Sequence, residues 1–374
     1  MDHISFIYPT NFRNLDDQEI NLDSLANIFI GLNGAGKTNI IETVSLLSPG
    51  KGLKKQSFNK ISKFNSDKPW IILLKYIKNN SSIDIAVTYE NNTKGSSLKK
   101  ILINGEKQKK LLESDYIPTV IWFTPDMERL FMSPSSIRRD FLDRIVFSFD
   151  QNILSKIRSY KKLLKERYNI IQLNDYDLNW VKKIEENIAT LGIEIIKKRG
   201  KSIEILNKMF STDLLKININ SCSIKLSGDF DQLVLKNKPE VSMEKFLCEL
   251  ENFRQEDKIK GSCKVGPHKS DIEITYLKNN TSATFCSTGQ QKEIVLNILL
   301  CQVYCLVKFF NKKPIVLLDE VCSHLDDNTR SILLHLIEKL KTQVLMTGTD
   351  KKLFTFLSKK AKFFHVKNGI INLK

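Results

Sequence analysis

The chain has 374 residues, 41% of them hydrophobic, and carries 58 Lys+Arg against 42 Asp+Glu, a formal net charge of +16. That length supports one large domain or two moderate ones, and no stretch approaches the roughly 18 uncharged apolar residues of a membrane span. The opening Met1-Asp2-His3-Ile4-Ser5 lacks the basic and apolar regions of a secretion signal, so a cytoplasmic location is expected. The charge excess points to a polyanionic partner, nucleic acid first. The seven cysteines are odd in number and show no paired metal spacing; reduced thiols are expected, with neither disulfide nor zinc.

In chain order, Asn11-Phe12-Arg13-Asn14 precedes a short polar–apolar alternation over 17–25, read as an edge strand, and Asn27 to Ile30 forms a central strand. It feeds Gly31-Leu32-Asn33-Gly34-Ala35-Gly36-Lys37-Thr38, which meets the spacing G-x-x-x-x-G-K-T of a phosphate-binding loop in full. The glycines let backbone N–H groups turn inward around an anion, and the helix opened by Asn39 adds its positive end. Lys37 reaches the terminal phosphates and the Thr38 hydroxyl ligates Mg²⁺, so Gly31 through Asn39 are the candidate nucleotide-binding residues. The helix, with Ile40, Ile41, Val44 and Leu47 on one face, stops at Ser48-Pro49-Gly50. Three strands over 70–76, 82–89 and 99–105, joined by Asn, Ser and Gly turns, predict an antiparallel sheet beside the nucleotide site. Val120 to Phe123 reads as another buried strand. Ser133-Pro134-Ser135-Ser136 opens a helix whose Arg138, Arg139 and Arg144 offer a basic face to phosphate.

From about Ile153 the pattern turns helical. Leu154, Ile157, Tyr160, Leu164 and Tyr168 form one stripe, and Val181, Ile184, Ile188, Leu191 and Ile195 another, giving two helices of about 20 to 30 residues and about 30 to 45 Å. They build a second lobe, and no heptad run is long enough for an extended coiled coil. A mixed region over 216–256 follows, then a strand near Ile272; His268 beside Gly266-Pro267 reads as a loop histidine. Ser287-Thr288-Gly289-Gln290-Gln291-Lys292 leads into an apolar helix and resembles the signature motif of ABC ATPases, a second anion site in a chain that already has a phosphate loop. Ile315-Val316-Leu317-Leu318-Asp319-Glu320 is an apolar strand ending in two acids, the Walker B pattern. At the carboxyl end of a parallel strand Asp319 comes beside Thr38, making these two the candidate metal residues. Glu320 then orients or deprotonates the attacking water, and Glu320 and Lys37 are the candidate catalytic residues. Ser323-His324-Leu325-Asp326 resembles a D-loop, and the strand over 343–350 ends in threonines where transporter ATPases carry a switch histidine.

These motifs, in this order and spacing, make the chain similar to the RecF family of bacterial recombination mediators, of the ABC/Rad50-like ATPases, over nearly its whole length. The supporting residues are Asn11 to Asn14, Gly31 to Asn39 with Glu42, Pro49 to Leu53, Ser133 to Ser135 with Arg138-Arg139 and Phe141 to Asp143, Tyr160 to Arg167, Gly266 to His268, Ser287 to Lys292, and Leu317 to Asp326. The resemblance implies an α/β fold, a P-loop NTPase of ABC-ATPase head type (Rad50/SMC-like) with an antiparallel β subsheet and an inserted, mainly helical second lobe. Its lobe I covers 1–130 and 262–374, and its lobe II 131–261. It implies ATP and Mg²⁺ as cofactors, and an ATP-dependent homodimer in which Ser287, Gly289 and Gln290 contact the ATP held by the second copy. It further implies low-specificity binding of single-stranded DNA, double-stranded DNA and their junctions, ended by a weak, DNA-stimulated ATPase that serves as a switch. Loading of recombinase at gapped DNA with RecO and RecR, replication-fork maintenance and support of SOS induction complete the expected role.

The sequence departs from its relatives in places. Thr288 replaces the first glycine of the general signature, Gln56 is the nearest candidate for a Q-loop, and Lys51, Lys54, Lys269 and Lys292 stand where relatives carry arginine. Two rival classes share the motifs. The nucleotide-binding subunit of an ABC transporter is disfavoured by the charge, the missing switch histidine and the large middle lobe. A structural tether of SMC or Rad50 type would need a long coiled coil or a separate acid cluster, and this sequence has neither.

Overall fold

Strands buried along their whole length form the centre of one sheet of the protein, and strands that alternate form another. The structure, a computed structural model, describes residues 1–91, 97–107, 116–210, 222–321, 327–357 and 360–374. Two compact units emerge from mutual contacts: one combines Met1–Glu128 with Val295–Lys374, and the other lies within 129–294. Residues 262–294 thus group with the helices rather than with the first unit.

The first unit opens with β1 (His3–Thr10), β2 (Ile20–Asn21), β3 (Ala26–Ile30) and α1 (Lys37–Ser45). The strands β4 (Ile71–Lys78), β5 (Ser81–Asn91), β6 (Ser97–Ile103), β7 (Glu106–Lys107) and β8 (Val120–Phe123) follow. The second unit contains α2 (Ser135–Phe149), α3 (Ile153–Ile171), α4 (Leu178–Phe210), β9 (Cys222–Leu226), α5 (Asp229–Lys236), α6 (Pro239–Asn252), α7 (Arg254–Lys260), β10 (Ile272–Tyr276) and β11 (Thr281–Ser282). After α8 (Thr288–Phe309), the chain completes the first unit with β12 (Ile315–Leu318), α9 (Asp327–Leu340), β13 (Val344–Gly348), β14 (Ala361–Lys367) and β15 (Ile370–Leu373).

Every residue of β3, β8, β12 and β13 is buried, as strands covered on both faces must be. They pair in parallel in the order β14-β3-β13-β12-β8, with β15 antiparallel at the edge. The other sheet, β2-β1-β4-β5-β6-β7, is antiparallel, and β4 alternates buried Ile72, Leu74 and Tyr76 with exposed Ile71 and Leu73. β1, which periodicity did not single out, pairs with β4 over its full length, whereas the strand expected over 17–25 shrinks to the two residues of β2. One apolar core joins both sheets to α1 through Phe29, Val44, Trp70 and Leu345. The fully buried Gln343 side chain stitches them as well, accepting from Ile4 N–H at 2.8 Å and donating to the Ile4 and Asp23 carbonyls at 2.7 Å.

In the second unit α4 runs 33 residues, longer than expected, because its apolar stripe continues through Ile196, Ile203 and Leu206. Charged residues interrupt that stripe, and they pair. Arg167 of α3 donates to Glu185 of α4 at 2.9 Å, to Asp257 of α7 at 2.6 Å and to the Leu250 carbonyl at 2.7 Å; both carboxylate partners are 2% exposed. Arg254 also grips Glu185, at 3.0 and 2.5 Å. The basic face expected on α2 turns inward: Arg138 binds Asp271 at 2.8 and 2.5 Å, Arg139 donates to the Ser270 carbonyl at 2.7 Å, and burial pulls the Arg144 guanidinium down to about 10.

His268 is likewise no plain loop residue. It bonds Tyr160 Oη through Nδ1 at 2.9 Å and the Cys263 carbonyl through Nε2 at 2.7 Å, and burial lowers its pKa to about 4. The neutral ring then donates from Nε2 and accepts from the tyrosine.

Two predictions arise. Glu185→Gln leaves two buried guanidinium groups short of charge and is expected to cost about 3 kcal/mol, read as a lower urea midpoint, while Lys183→Ala at an exposed pair leaves the midpoint unchanged. Because the folded pKa of His268 lies below its unfolded value, the unfolded chain binds the proton more readily. Stability is therefore lost as pH falls from 6.5 towards 4, by at most about 3 kcal/mol, and His268→Gln should flatten that part of the profile in pH-dependent urea titrations.

Candidate nucleotide site

The carboxyl ends of β3, β13, β12 and β8 form one edge of the parallel sheet, the edge where open α/β sheets present their ligand-binding segments. β3 passes into Gly31–Thr38, and Gly36 caps α1 with a φ of 111°, a left-handed conformation that a side chain would strain. Asn39 and Ile40 N–H already donate to the Gly36 carbonyl, and the N–H groups of Lys37 and Thr38, at the first positions of α1, precede any intrahelical acceptor and suit an anion. Lys37 is only 4% exposed; its ammonium donates to the Gly31 and Leu32 carbonyls at 2.8 and 3.0 Å and lies 3.9 Å from Glu320 Oε1. Burial lowers its pKa while Glu320 and Asp319 oppose the shift. Two carbonyls occupy two of the three ammonium hydrogens, and the third can meet a phosphate.

Asp319, at the end of β12, is 5% exposed. Thr38 Oγ1 lies 2.9 and 3.0 Å from its two oxygens, and Thr347 Oγ1 of β13 donates to Oδ1 at 2.6 Å. Burial pushes the Asp319 carboxyl up, and these hydroxyls pull it back. Thr347 in turn accepts the Glu320 N–H at 3.0 Å, and Glu320 takes a φ of 51°, which breaks the strand and re-aims its half-exposed carboxylate. The Asp319 N–H donates to Phe123 O at 3.0 Å, bringing the end of β8, with buried Thr124, to the same edge.

Behind the loop stands a second arrangement. Glu42, fully buried on α1, accepts from Nε and Nη2 of the Arg13 guanidinium at 2.9 and 2.6 Å, with Lys54 at 3.7 Å. The remaining Arg13 nitrogen donates to Gln56 at 2.6 Å, so the Q-loop candidate is tied to the phosphate-loop helix through Arg13. Asn14 accepts from Asn39 at 2.6 Å and donates to the Gly34 carbonyl at 3.2 Å. Arg13, Asn14, Glu42 and Thr347 are the positioning residues that no spacing rule exposes, since each acts across a gap in sequence. For Arg13, Asn14 and Glu42 the one signal was membership of the motifs behind the resemblance, and for Thr347 it was the threonine-rich end of the strand over 343–350.

The signature residues belong to the second unit. Ser287 and Gln290 cap α8 reciprocally: Ser287 N–H donates to Gln290 Oε1 at 3.0 Å and Gln290 N–H to Ser287 Oγ at 3.3 Å. The Ser287 oxygen accepts in that bond, which leaves its own hydrogen to donate outward. Gly289 is exposed beside them, and Phe285 stands 84% exposed one turn earlier. The D-loop candidates Ser323 to Asp326 lie outside the described residues.

Lys37→Ala is expected to weaken nucleotide binding by about 10- to 100-fold, the worth of a charge-assisted contact, measured by titration with a fluorescent ATP analogue.

The family model described as the RecF/RecN/SMC N terminal domain matches residues 3–372. Relatives include a DNA replication and repair protein RecF of Rhizobium rhizogenes, 31% identical over 98% of this chain and 97% of its own, and one of Rickettsia felis, 35% identical over 91% of each. A solved structure of the recombination mediator protein RecF-ATPrS superposes with a TM-score of 0.83 at 25% identity, covering 100% of this chain and 98% of that one. With a P-loop α/β head, an antiparallel second sheet and no long coiled coil among its described residues, the chain belongs to the RecF family of the RecF/RecN/SMC proteins.

Proposed function

We propose that the protein is an ATP-dependent DNA-binding protein of recombinational repair and replication-fork maintenance, whose ATPase times its stay on DNA. The observation that carries this reading is the convergence of Lys37, Thr38, Asp319 and Glu320 at one sheet edge in a member of this family. A relative's solved form with ATPrS supports ATP as the nucleotide.

Mg²⁺ fits the donors present: a threonine hydroxyl and a buried carboxylate, both hard oxygen ligands, already converge at Thr38 and Asp319. When bound, the ion would neutralise phosphate charge. The chain's own groups do the rest. The loop amides and Lys37 grip the triphosphate, Thr38 and Asp319 hold the ion, and Glu320, re-aimed by its backbone, orients the attacking water and accepts its proton.

Ser287, Gly289 and Gln290 offer outward donors at a helix start and act on the ATP of a second copy. Leu32, 82% exposed at the phosphate-loop tip, and Phe285 are apolar groups that such a contact would cover. Two ATP-loaded protomers then close on DNA, and hydrolysis opens them. The net charge of +16 supplies attraction to phosphate without sequence preference, suiting single- and double-stranded DNA and their junctions. RecO and RecR are the partners that the pathway name of the solved relative suggests. Recombinase loading at gaps and support of SOS induction follow from the same reading.

Glu320→Gln keeps the nucleotide and removes the base. It should accumulate an ATP-dependent dimer on DNA, seen by size exclusion with light scattering, whereas a Glu320→Gln chain that stays monomeric with ATP and DNA would sink the sandwich.

A further inference from the structure

The second unit contains a cleft of about 650 Å³ between α5, α6 and the turn over 264–270, a volume in the range of ligand sites. Its floor is apolar, with Phe230, Leu233, Phe253 and Val265, and Lys245, Lys264 and Lys269 stand exposed on its rim. Asp229 and Glu249 also reach the wall, while Asp231 is buried and accepts from Ser270 Oγ at 2.6 Å.

The turn that carries two of these lysines is rigidly built. Gly266 has a φ of 128°, and a Cβ there would meet Tyr160 Oη at 2.3 Å. His268 is fixed by Tyr160 and the Cys263 carbonyl, Arg199 holds the Pro267 carbonyl at 2.6 Å, and Arg139 holds the Ser270 carbonyl. Lys264 lies 3.9 Å over the Phe253 ring and pairs with Glu256 at 3.0 Å. The Gly266-Pro267-His268 stretch, which the nucleotide site does not use, thus fixes the backbone from which Lys264 and Lys269 project beside the cleft.

From this we infer that the cleft receives an unpaired nucleotide of single-stranded DNA, its base against the apolar floor of Phe230, Leu233 and Val265 and its phosphates at Lys245 and Lys269, Lys264 being engaged by Phe253 and Glu256. A group with an apolar body and an anionic edge suits the apolar floor and the exposed Lys245 and Lys269, with Asp231 withdrawn by Ser270. Unpaired bases on a phosphate strand meet both conditions; a duplex hides its bases. An acidic peptide shares the charge, but peptides are usually held through their backbone, at a sheet edge or in a helix groove. Here helices and a turn line the cleft, and the turn's Lys269 N–H and its Gly266, Pro267 and Ser270 carbonyls are already bonded inside the unit. With Asp231 likewise engaged by Ser270, the contact reads stacking and charge rather than base identity. This rests on the DNA-binding reading above and refines it, since such a slot favours gapped DNA over intact duplex.

The test uses the full chain with ATP and two DNAs, an intact duplex and the same duplex with a gap carrying a fluorescent purine. Two variants probe the cleft independently: Cys248→Trp, at an exposed wall position, fills it without changing charge, and Lys245→Gln with Lys269→Gln removes rim cations. The unmodified chain should quench the purine, and each variant should weaken gapped-DNA binding about tenfold, the worth of one stacked base, with duplex affinity unchanged. Equal losses on both DNAs, or no loss in either variant, overturn the slot while leaving DNA binding intact. Binding of an acidic phenylalanine peptide that Cys248→Trp abolishes, with gapped-DNA binding unaffected by the peptide, also overturns it. An unmodified chain that binds neither DNA overturns the broader reading and the slot together.

Discussion

A carboxylate at the end of an apolar parallel strand is costly to ionise unless donors reach it, and at Asp319 two hydroxyls do. Thr38 comes from the phosphate-loop helix and Thr347 from the neighbouring strand, so one buried charge joins segments that lie 281 and 28 residues from it. The parallel register is what makes this possible. β12 pairs with β13 and β13 with β3, so that Leu318, Met346 and Ile28 lie level and the three following turns open at a common edge. Glu320 can leave that edge in a left-handed conformation because its N–H is caught by the same threonine that holds Asp319.

The distribution of positive charge divides by residue type. Apart from the exposed Arg129 and Arg158, the arginines of the second unit face inward, where the planar fork of Arg167, Arg199 and Arg254 satisfies several acceptors at once. Lysines, strongly hydrated and flexible, populate the surface. The motif arginines of α2 therefore serve the interior, and attraction to a polyanion falls mainly to the lysines.

Much of this was legible in the chain. The phosphate loop and the Walker B strand declared themselves because their chemistry demands fixed residue types at fixed spacing, and the strands over 27–30, 120–123 and 315–318 because their runs are mostly apolar. Other parts were not. β1 mixes polar and apolar residues without clean alternation, and its role is set by β4, some 70 residues on. The Arg13–Glu42 pair and the Thr347 link are tertiary facts: nothing local distinguishes a threonine that ends a strand from one that holds a buried aspartate. His268 looked like a loop residue because Gly266-Pro267 beside it signals a turn, and the signal was correct about the backbone while silent about Tyr160.

The buried ion cluster of Arg167, Glu185, Arg254 and Asp257 sets a mechanical limit on the helices that carry it. Apolar stripes tolerate slippage, since one leucine can replace another at a contact. A guanidinium shared by carboxylates on two other helices cannot slip: moving α3 along α4 by one turn, about 5.4 Å, would strand each charge in the interior without its partner. The helical pair can therefore bend but not ratchet, and it keeps a single alignment without the repeated seam that a long coiled coil would need.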